Sequence, residues 1–146
     1  MNKKNILIAV LAIIIYILAQ QQGPSVPNST FSGTDALQTT IQGAFEDKLT
    51  DLQIQGQGVV KKVLPDDRKG LQHQKFILQT RPGQTVLVAH NIDIAYRLPG
   101  LKKGDKVSFY GEYEWTSQGG VLHWTHHDPS GRHTDGWLRY NGKVYQ

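Results

Sequence analysis

The amino-acid sequence predicts a mainly β domain behind an N-terminal hydrophobic segment. From residue 52 onward, apolar residues recur at every second position, which is the period of a strand that buries one face. The chain contains 15 glycines and 6 prolines, and so many turn-forming residues favour short strands over a helical bundle. A length of 146 residues leaves room for one folded domain and an appendage.

The appendage is the hydrophobic run at residues 6–19, which follows Lys3 and Lys4. Basic residues before an apolar run mark the cytoplasmic side of a membrane, so the rest of the chain is expected outside the cytoplasm. The run is short for a membrane-spanning helix and equally suits the core of a signal peptide. Residues 1–20 are therefore a signal peptide or a membrane anchor, and residues 21–33, which are rich in Gln, Pro and Ser, are a linker.

These features predict where the protein acts. A retained anchor would hold the domain on the periplasmic face of the inner membrane. Cleavage would instead release it into the periplasm or out of the cell. The expected partners are the inner membrane, through the N-terminal segment, and a small molecule or another envelope component.

Composition excludes several functions. The chain has no cysteine, which rules out a disulfide framework, a thiol nucleophile and a cysteine-based zinc site. The net charge is +4, but without Lys3 and Lys4 there are 14 basic against 12 acidic residues, a net +2. That charge is too weak to predict binding to a phosphate backbone, so nucleic acid is not an expected partner.

The folded domain is expected over residues 34–146, and a helix is expected to open it. Leu37, Ile41, Phe45 and Leu49 are spaced by four, which places them in one stripe along a helix. A stripe this narrow indicates a helix that plugs one end of a sheet.

Five strands are expected after the helix, beginning at Leu52 and over residues 73–80, 84–90, 106–116 and 121–126. Residues 137–140 and 143–146 then flank Asn141-Gly142, the sequence of a type I′ hairpin turn. One helix and five strands, with a longer connection between the third and fourth, resembles a small five-stranded Greek-key barrel of the oligonucleotide/oligosaccharide-binding (OB) type with a C-terminal hairpin. A partly open sheet is the alternative.

Histidine and aspartate residues concentrate in the segment 123–137. If the fifth strand continues to Asp128, then His126 and Asp128 share one face of it. The turn at residues 129–131 would fold the chain back and bring His133 beside them. These side chains are expected to form one site.

Two further polar residues, His90 and Asp93, end the third strand and are expected at the same rim. The ligand-binding candidates are then His90, Asp93, His126, Asp128 and His133. Imidazole and carboxylate groups suit a divalent metal, with His126, Asp128 and His133 as the predicted metal trio, or acid–base chemistry near neutral pH. The alternative is that these side chains only hydrogen-bond a long loop.

Four segments carry a family resemblance: residues 72–78 (QHQKFIL), 89–93 (AHNID), 111–115 (GEYEW) and 123–129 (HWTHHDP). Together they resemble the bacterial family catalogued as domain of unknown function 3465. The resemblance extends over about residues 52–146 and implies no activity.

The sequence therefore favours a non-enzymatic periplasmic binding module with a His/Asp-lined site. The alternative is a metal-dependent hydrolase, acting for example on phosphodiesters, which the histidine and aspartate cluster would serve. A third hypothesis is a structural envelope protein whose aromatic hairpin packs on a partner. A concave pocket with convergent polar groups would favour the first two, and a flat apolar patch the third.

Overall fold

The computed structural model describes residues 41–146, which form one short helix and seven strands. Helix α1 covers residues 41–46 of this part. The strands are β1 (Leu52–Val63), β2 (His73–Arg81), β3 (Gln84–Asn91), β4 (Lys106–Glu114), β5 (Val121–His123), β6 (Trp137–Tyr140) and β7 (Lys143–Tyr145). The expected N-terminal segment, the linker and the first part of the expected helix lie outside the described residues. Within residues 41–146, no helix is long and apolar enough to cross a membrane.

Five of the strands close into a barrel. Their order is β1-β2-β3-β5-β4, and a pairing between β1 and β4 closes the ring. β3 and β5 run parallel, while the other neighbours in the ring are antiparallel. β1 pairs with both β2 and β4 because it is 12 residues long and a register shift between Val60 and Lys62 bends it. The predicted mainly β barrel is confirmed, and the partly open sheet is wrong.

Side chains at alternate strand positions build the barrel core, as the period of two predicts. On β4, Val107, Phe109 and Tyr113 are completely buried, whereas Ser108, Tyr110 and Glu112 face outward. Helix α1 contributes Ile41 and Ala44 to the same core. The helix therefore closes one end of the barrel, as the sequence predicts.

Phe45 and Trp115 hold α1 in place. The indole Nε1 of Trp115 donates a hydrogen bond to the carbonyl of Phe45 at 3.0 Å, and their rings stack with centroids 6.4 Å apart. The expectation that the helix continues to Leu49 is wrong. Lys48 adopts a left-handed conformation with φ of 53°, which ends the helical run and leaves Leu49 exposed.

β5 is shorter than the sequence predicts. It ends at His123, because Trp124 adopts a left-handed conformation with φ of 49° that turns the chain out of the sheet. The predicted strand to residue 126 is therefore wrong. The sharing of one strand face by His126 and Asp128 is also wrong.

The predicted C-terminal hairpin is present. β6 pairs with β4 and β7 pairs with β6, both antiparallel. Asn141 and Gly142, which connect β6 to β7, have φ of 49° and 75°. A type I′ turn requires positive φ at both central residues.

Candidate functional site

The histidine-rich segment forms a long loop, residues 124–136, between β5 and β6. Asp128 organises this loop. Its carboxylate accepts hydrogen bonds from the backbone N–H groups of Ser130, Arg132 and His133 at 2.9, 2.7 and 2.8 Å, and from the Ser130 hydroxyl at 2.7 Å. The Ser130 hydroxyl, followed by these N–H groups, stabilises the ionised carboxylate and holds the pKa of Asp128 well below its usual range.

The second half of the 124–136 loop packs back on the first. The Asp135 carboxylate accepts hydrogen bonds from the N–H of Asp128 at 2.8 Å and from Nδ1 of His127 at 2.7 Å. Gly136 permits this close return, because a Cβ at that position would overlap the carbonyl oxygen of Trp124. Residues from Asp128 to Gly136 therefore form a compact, internally bonded turn.

His133 connects the 124–136 loop to β4. Its Nε2 donates to Oε2 of Glu112 at 2.6 Å, and its Nδ1 donates to the carbonyl of Thr134 at 3.0 Å. Both partners only accept, so both ring nitrogens carry hydrogen and the charged form is favoured. Burial opposes that charge, but the Thr134 carbonyl and the Glu112 carboxylate raise the pKa of His133. The ring also stacks on Trp124 with centroids 4.0 Å apart.

His90 lies inside the barrel wall. Its Nδ1 is 2.8 Å from the hydroxyl of Thr125, and its Nε2 is 3.2 Å from the carbonyl of Tyr96. Burial lowers the pKa of His90 to about 4, so the ring is neutral near pH 7. The side chain has no exposed surface, so it is not accessible to a ligand. It instead links β3 to the segments that contain Thr125 and Tyr96.

Asp93 fastens the end of β3 to the connection between β1 and β2. Its carboxylate accepts a hydrogen bond from the N–H of Gln72 at 2.7 Å. Its own N–H donates to Oδ1 of Asn91 at 2.9 Å. The Asp93 carboxylate thus has a structural partner, although the residue is exposed.

One predicted residue, His126, lies in a pocket of about 230 Å³ on the outside of the barrel. Eight residues line this histidine pocket: His73, Ala89, Asn91, His123, Trp124 and His126 at its floor, and the exposed Leu71 and Ile94 at its rim. Nδ1 of His126 donates to the carbonyl of His127 at 2.8 Å, which leaves Nε2 to meet a ligand. The other four predicted ligand-binding residues do not line this pocket.

Sequence reasoning missed His73 and His123 as pocket residues. His73 begins β2 and is the partner of Asn91 at the end of β3, while β5 runs parallel to β3 and ends at His123. The histidine pocket therefore depends on the order β2-β3-β5. Parallel pairing of β3 with β5 has no local sequence signal, so no pattern along the chain could have joined these residues.

A second cluster involves side chains outside the predicted metal trio. Among the described residues, Glu112, Glu114 and His123 form a group whose potential metal-ligand atoms all lie within 4.8 Å of one another. Within the trio, the Asp128 oxygens accept hydrogen bonds from the loop. Both ring nitrogens of His133 donate to oxygen atoms. These groups would have to give up hydrogen bonds to bind an ion.

Comparison with known protein families gives a match over residues 26–146 to the model described as "Protein of unknown function (DUF3465)". The match begins upstream of residue 52, so it includes α1, which the motif resemblance did not. Comparison with curated proteins finds no match. The family description assigns no activity.

Proposed function

The chain belongs to the DUF3465 family. Because that family's description assigns no activity, we propose from the geometry that it is a non-enzymatic binding module, and from residues 1–20 that it acts in the bacterial envelope. The observation that carries this proposal is the histidine pocket, which combines buried and partly buried polar side chains at its floor with exposed apolar side chains at its rim. Ligand sites typically have this composition of apolar walls and a few convergent polar groups.

We assign the barrel to the OB type as part of this proposal. The ring order β1-β2-β3-β5-β4 with parallel β3 and β5 supports the assignment, as does the short helix at one end. Barrels of this type bind ligands across the outer face of the second and third strands and the adjoining loops. The histidine pocket includes residues from both of those strands.

A second hollow extends the same face. Ile77 and Leu87 are partners across β2 and β3, and Leu87 and Val121 are partners across β3 and β5. The three side chains line a hollow of about 280 Å³ beside the loop between β4 and β5. An elongated ligand could therefore place one end in the histidine pocket and an apolar part over this hollow.

The chemistry of the pocket floor favours a carbohydrate. Imidazole and amide groups supply both donors and acceptors of hydrogen bonds, which sugar hydroxyls can satisfy in both directions. Leu71 and Ile94 at the rim are 61% and 43% exposed, and they offer apolar surface to the carbon-bound hydrogens of a sugar ring. The pocket volume suits one sugar unit rather than a drug-sized molecule.

The full-length chain, solubilised in mild detergent and labelled with nitrogen-15, provides a direct test by NMR. N-acetylglucosamine and N-acetylmuramic acid are matched probes, one neutral and one anionic. We expect amide shifts that move with sugar concentration to cluster at His73, Asn91 and His123. Replacement of His73 by alanine should abolish these shifts.

His127→Ala is the matched control, because His127 is exposed and does not line the pocket. It should leave the titration unchanged. Shifts scattered over the barrel, or equal responses of the His73 and His127 variants, would argue against this pocket as the binding site.

The proposed location depends on residues 1–20 rather than on the barrel. Lys3, Lys4 and the following apolar run support export of the domain to the periplasmic side. A retained segment would make the inner membrane a partner of the protein. Cleavage would leave a periplasmic or secreted binding module.

A metal-dependent hydrolase remains the alternative function. It would need a divalent ion that activates water and an open coordination position for the substrate. The cluster of Glu112, Glu114 and His123, which could bind such an ion, supports this alternative. Hydrolysis of a model phosphodiester that requires added metal, and that is lost in Glu114→Gln, would favour it over simple binding.

A further inference from the structure

Three side chains converge where β4 and β5 pair on the outside of the barrel. Glu112 and His123 are direct partners across these two antiparallel strands, so their side chains lie on the same face. Glu114 lies two residues beyond Glu112 and shares that face. Nε2 of His123 is 3.4 Å from Oε1 of Glu112 and 3.4 Å from Oε1 of Glu114.

These two distances are too long for hydrogen bonds, which join nitrogen and oxygen at about 2.7–3.2 Å. Between His123 and each carboxylate they match the spacing of ligands around a tetrahedral ion, and all three candidate ligand atoms lie within 4.8 Å of one another. With zinc–ligand bonds of about 2.0–2.2 Å, neighbouring ligand atoms in a tetrahedral site lie about 3.4 Å apart. Octahedral Mg²⁺ with bonds of about 2.0–2.1 Å would bring neighbouring ligands to about 2.9 Å.

Buried polar atoms without hydrogen bonds, which include those of the neighbouring Gln53, provide a second observation. Nε2 of His123 is buried and has no hydrogen-bond partner within the described part of the chain. The same is true of both polar side-chain atoms of Gln53, which is the partner of Glu112 on β1. Buried polar groups are nearly always satisfied, so such orphans indicate an absent water or ion.

Neighbouring groups orient the side chains of this cluster in a way that suits a cation. Two carboxylate side chains lie beside the imidazole of His123 and offer oxygen ligands to a cation. The ring of His133 hydrogen-bonds to Oε2 of Glu112, which holds that carboxylate in place, while Oε1 lies 3.4 Å from His123. Metal-bound carboxylates and imidazoles are commonly oriented by hydrogen bonds of this kind from outer groups.

We propose that Glu112, Glu114 and His123 form a zinc site with an open fourth position. A nitrogen ligand favours a transition metal over Mg²⁺ or Ca²⁺, and the two 3.4 Å separations fit Zn²⁺ better than octahedral Mg²⁺. Glu114 is half exposed, so an ion can enter from solvent. His123 also lines the histidine pocket, which places the open position beside the proposed ligand site.

The test uses the full-length chain in detergent, purified without a polyhistidine tag and freed of metal with a chelator. Zn²⁺ is titrated in competition with a chromophoric chelator. Wild type is expected to bind one Zn²⁺ per chain. Glu114→Gln, which removes an exposed ligand without changing its shape, is expected to weaken binding by more than about tenfold.

Two matched variants locate the ion. His127→Gln removes an exposed imidazole that pairs with Asp135, and His126→Gln removes a member of the predicted metal trio. Both are expected to bind Zn²⁺ as wild type does. Loss of binding in either of them with retention in Glu114→Gln would overturn the proposal, as would identical binding by all four proteins or no binding at all.

Two further measurements are independent of the titration. X-ray absorption of the zinc-loaded chain is expected to report four nitrogen or oxygen ligands at about 2.0 Å. Thermal unfolding should move to higher temperature with Zn²⁺ in wild type but not in Glu114→Gln. Equal stabilisation by Mg²⁺ and Zn²⁺ would exclude a tetrahedral zinc site. Sugar binding is tested by His73→Ala, so the two proposals can fail separately.

Discussion

Oγ1 of Thr125 lies 2.8 Å from Nδ1 of His90, and this contact joins the 124–136 loop to the end of β3. Nε2 of the same ring lies 3.2 Å from the carbonyl of Tyr96. Because a carbonyl only accepts, Nε2 carries the hydrogen and Nδ1 accepts from the Thr125 hydroxyl. His90 is therefore a neutral link between three segments that surround the histidine pocket.

The neutrality of His90 predicts a loss of stability in acid. Burial lowers its pKa from 6.5 to about 4 in the folded chain. Between these values the unfolded state binds a proton that the folded state does not, so stability falls as the pH drops from about 6.5 to about 4 and levels off below. The loss from this residue should reach up to about 3 kcal/mol, since one pKa unit corresponds to about 1.4 kcal/mol.

Urea unfolding of the full-length chain at pH 7.5 and pH 4.5 measures this effect. His90→Gln should have a smaller difference in unfolding free energy between the two pH values than wild type. His133, whose pKa is raised, contributes in the opposite direction, but it is present in both proteins and cancels. An unchanged pH dependence in His90→Gln would contradict the prediction.

Asp128 is expected to hold the 124–136 loop closed. Asp128→Asn replaces one carboxylate oxygen by an amide nitrogen, which cannot accept a hydrogen bond, and removes the negative charge. The N–H groups of Arg132 and His133 should therefore be held less tightly. Hydrogen exchange at these two amides should accelerate, while the barrel strands stay protected. Asp66→Asn is the control, because the Asp66 carboxylate pairs with Arg97 outside this loop, and it should leave exchange at the two amides unchanged. Equal protection of the Arg132 and His133 amides in Asp128→Asn and wild type would exclude this role.

Phe109 is expected to be a main determinant of stability. It is completely buried, and Gly56 lies so close that a Cβ there would be 2.7 Å from the Phe109 ring. Phe109→Ala should lower the free energy of unfolding by about 3–5 kcal/mol. Gln55→Ala, on the exposed face of β1, should change it by less than about 0.5 kcal/mol. Equal losses would mean that the inward face of the barrel is misassigned.

Nucleic acid is expected to bind weakly if at all. Lys61, Lys62 and Lys103 surround a surface hollow together with Ile77, but the charge of the chain after the two N-terminal lysines is only +2. A single-stranded oligonucleotide should therefore dissociate at about 200 mM salt. Replacement of Lys61 and Lys62 by alanine should flatten the remaining salt dependence. Tight binding at that salt concentration would refute the prediction.

The C-terminus is expected outside the cytoplasm. A phosphatase that is active only after export, fused after Gln146, should be active in cells, because Lys3 and Lys4 precede the apolar run. Removal of residues 6–19 should abolish the activity. A cytoplasmic reporter that works at the same fusion point would contradict this topology.

The alternating pattern of β4 allowed its inward face to be predicted correctly. Val107, Phe109 and Tyr113 are buried as expected, because apolar and polar residues alternate along a strand that packs one face against a core. The Asn141-Gly142 turn was equally readable, since few residues adopt positive φ without strain. The end of β5 was not predictable, because it depends on a left-handed conformation of Trp124, which a bulky residue rarely adopts.

The candidate site was only partly predictable. His126 was identified and lines the histidine pocket, but its neighbours His73 and His123 come from strands brought together by the barrel. The turn after Asp128 was predicted correctly, but the Asp128 carboxylate accepts hydrogen bonds from N–H groups of the loop. Glu112 was not a candidate from the sequence, yet its side chain is only 15% exposed and pairs with His133.

The sequence by itself determined the class of the domain, the inward side chains and the expected direction of export, because each follows from the period or charge of a continuous stretch of chain. Only the tertiary structure decided that His123 lies opposite Glu112 and that His73 faces the same pocket as His126. Such neighbours depend on which strands pair and in what register. The packing of the whole barrel determines strand pairing and register, so neither can be predicted from the local sequence.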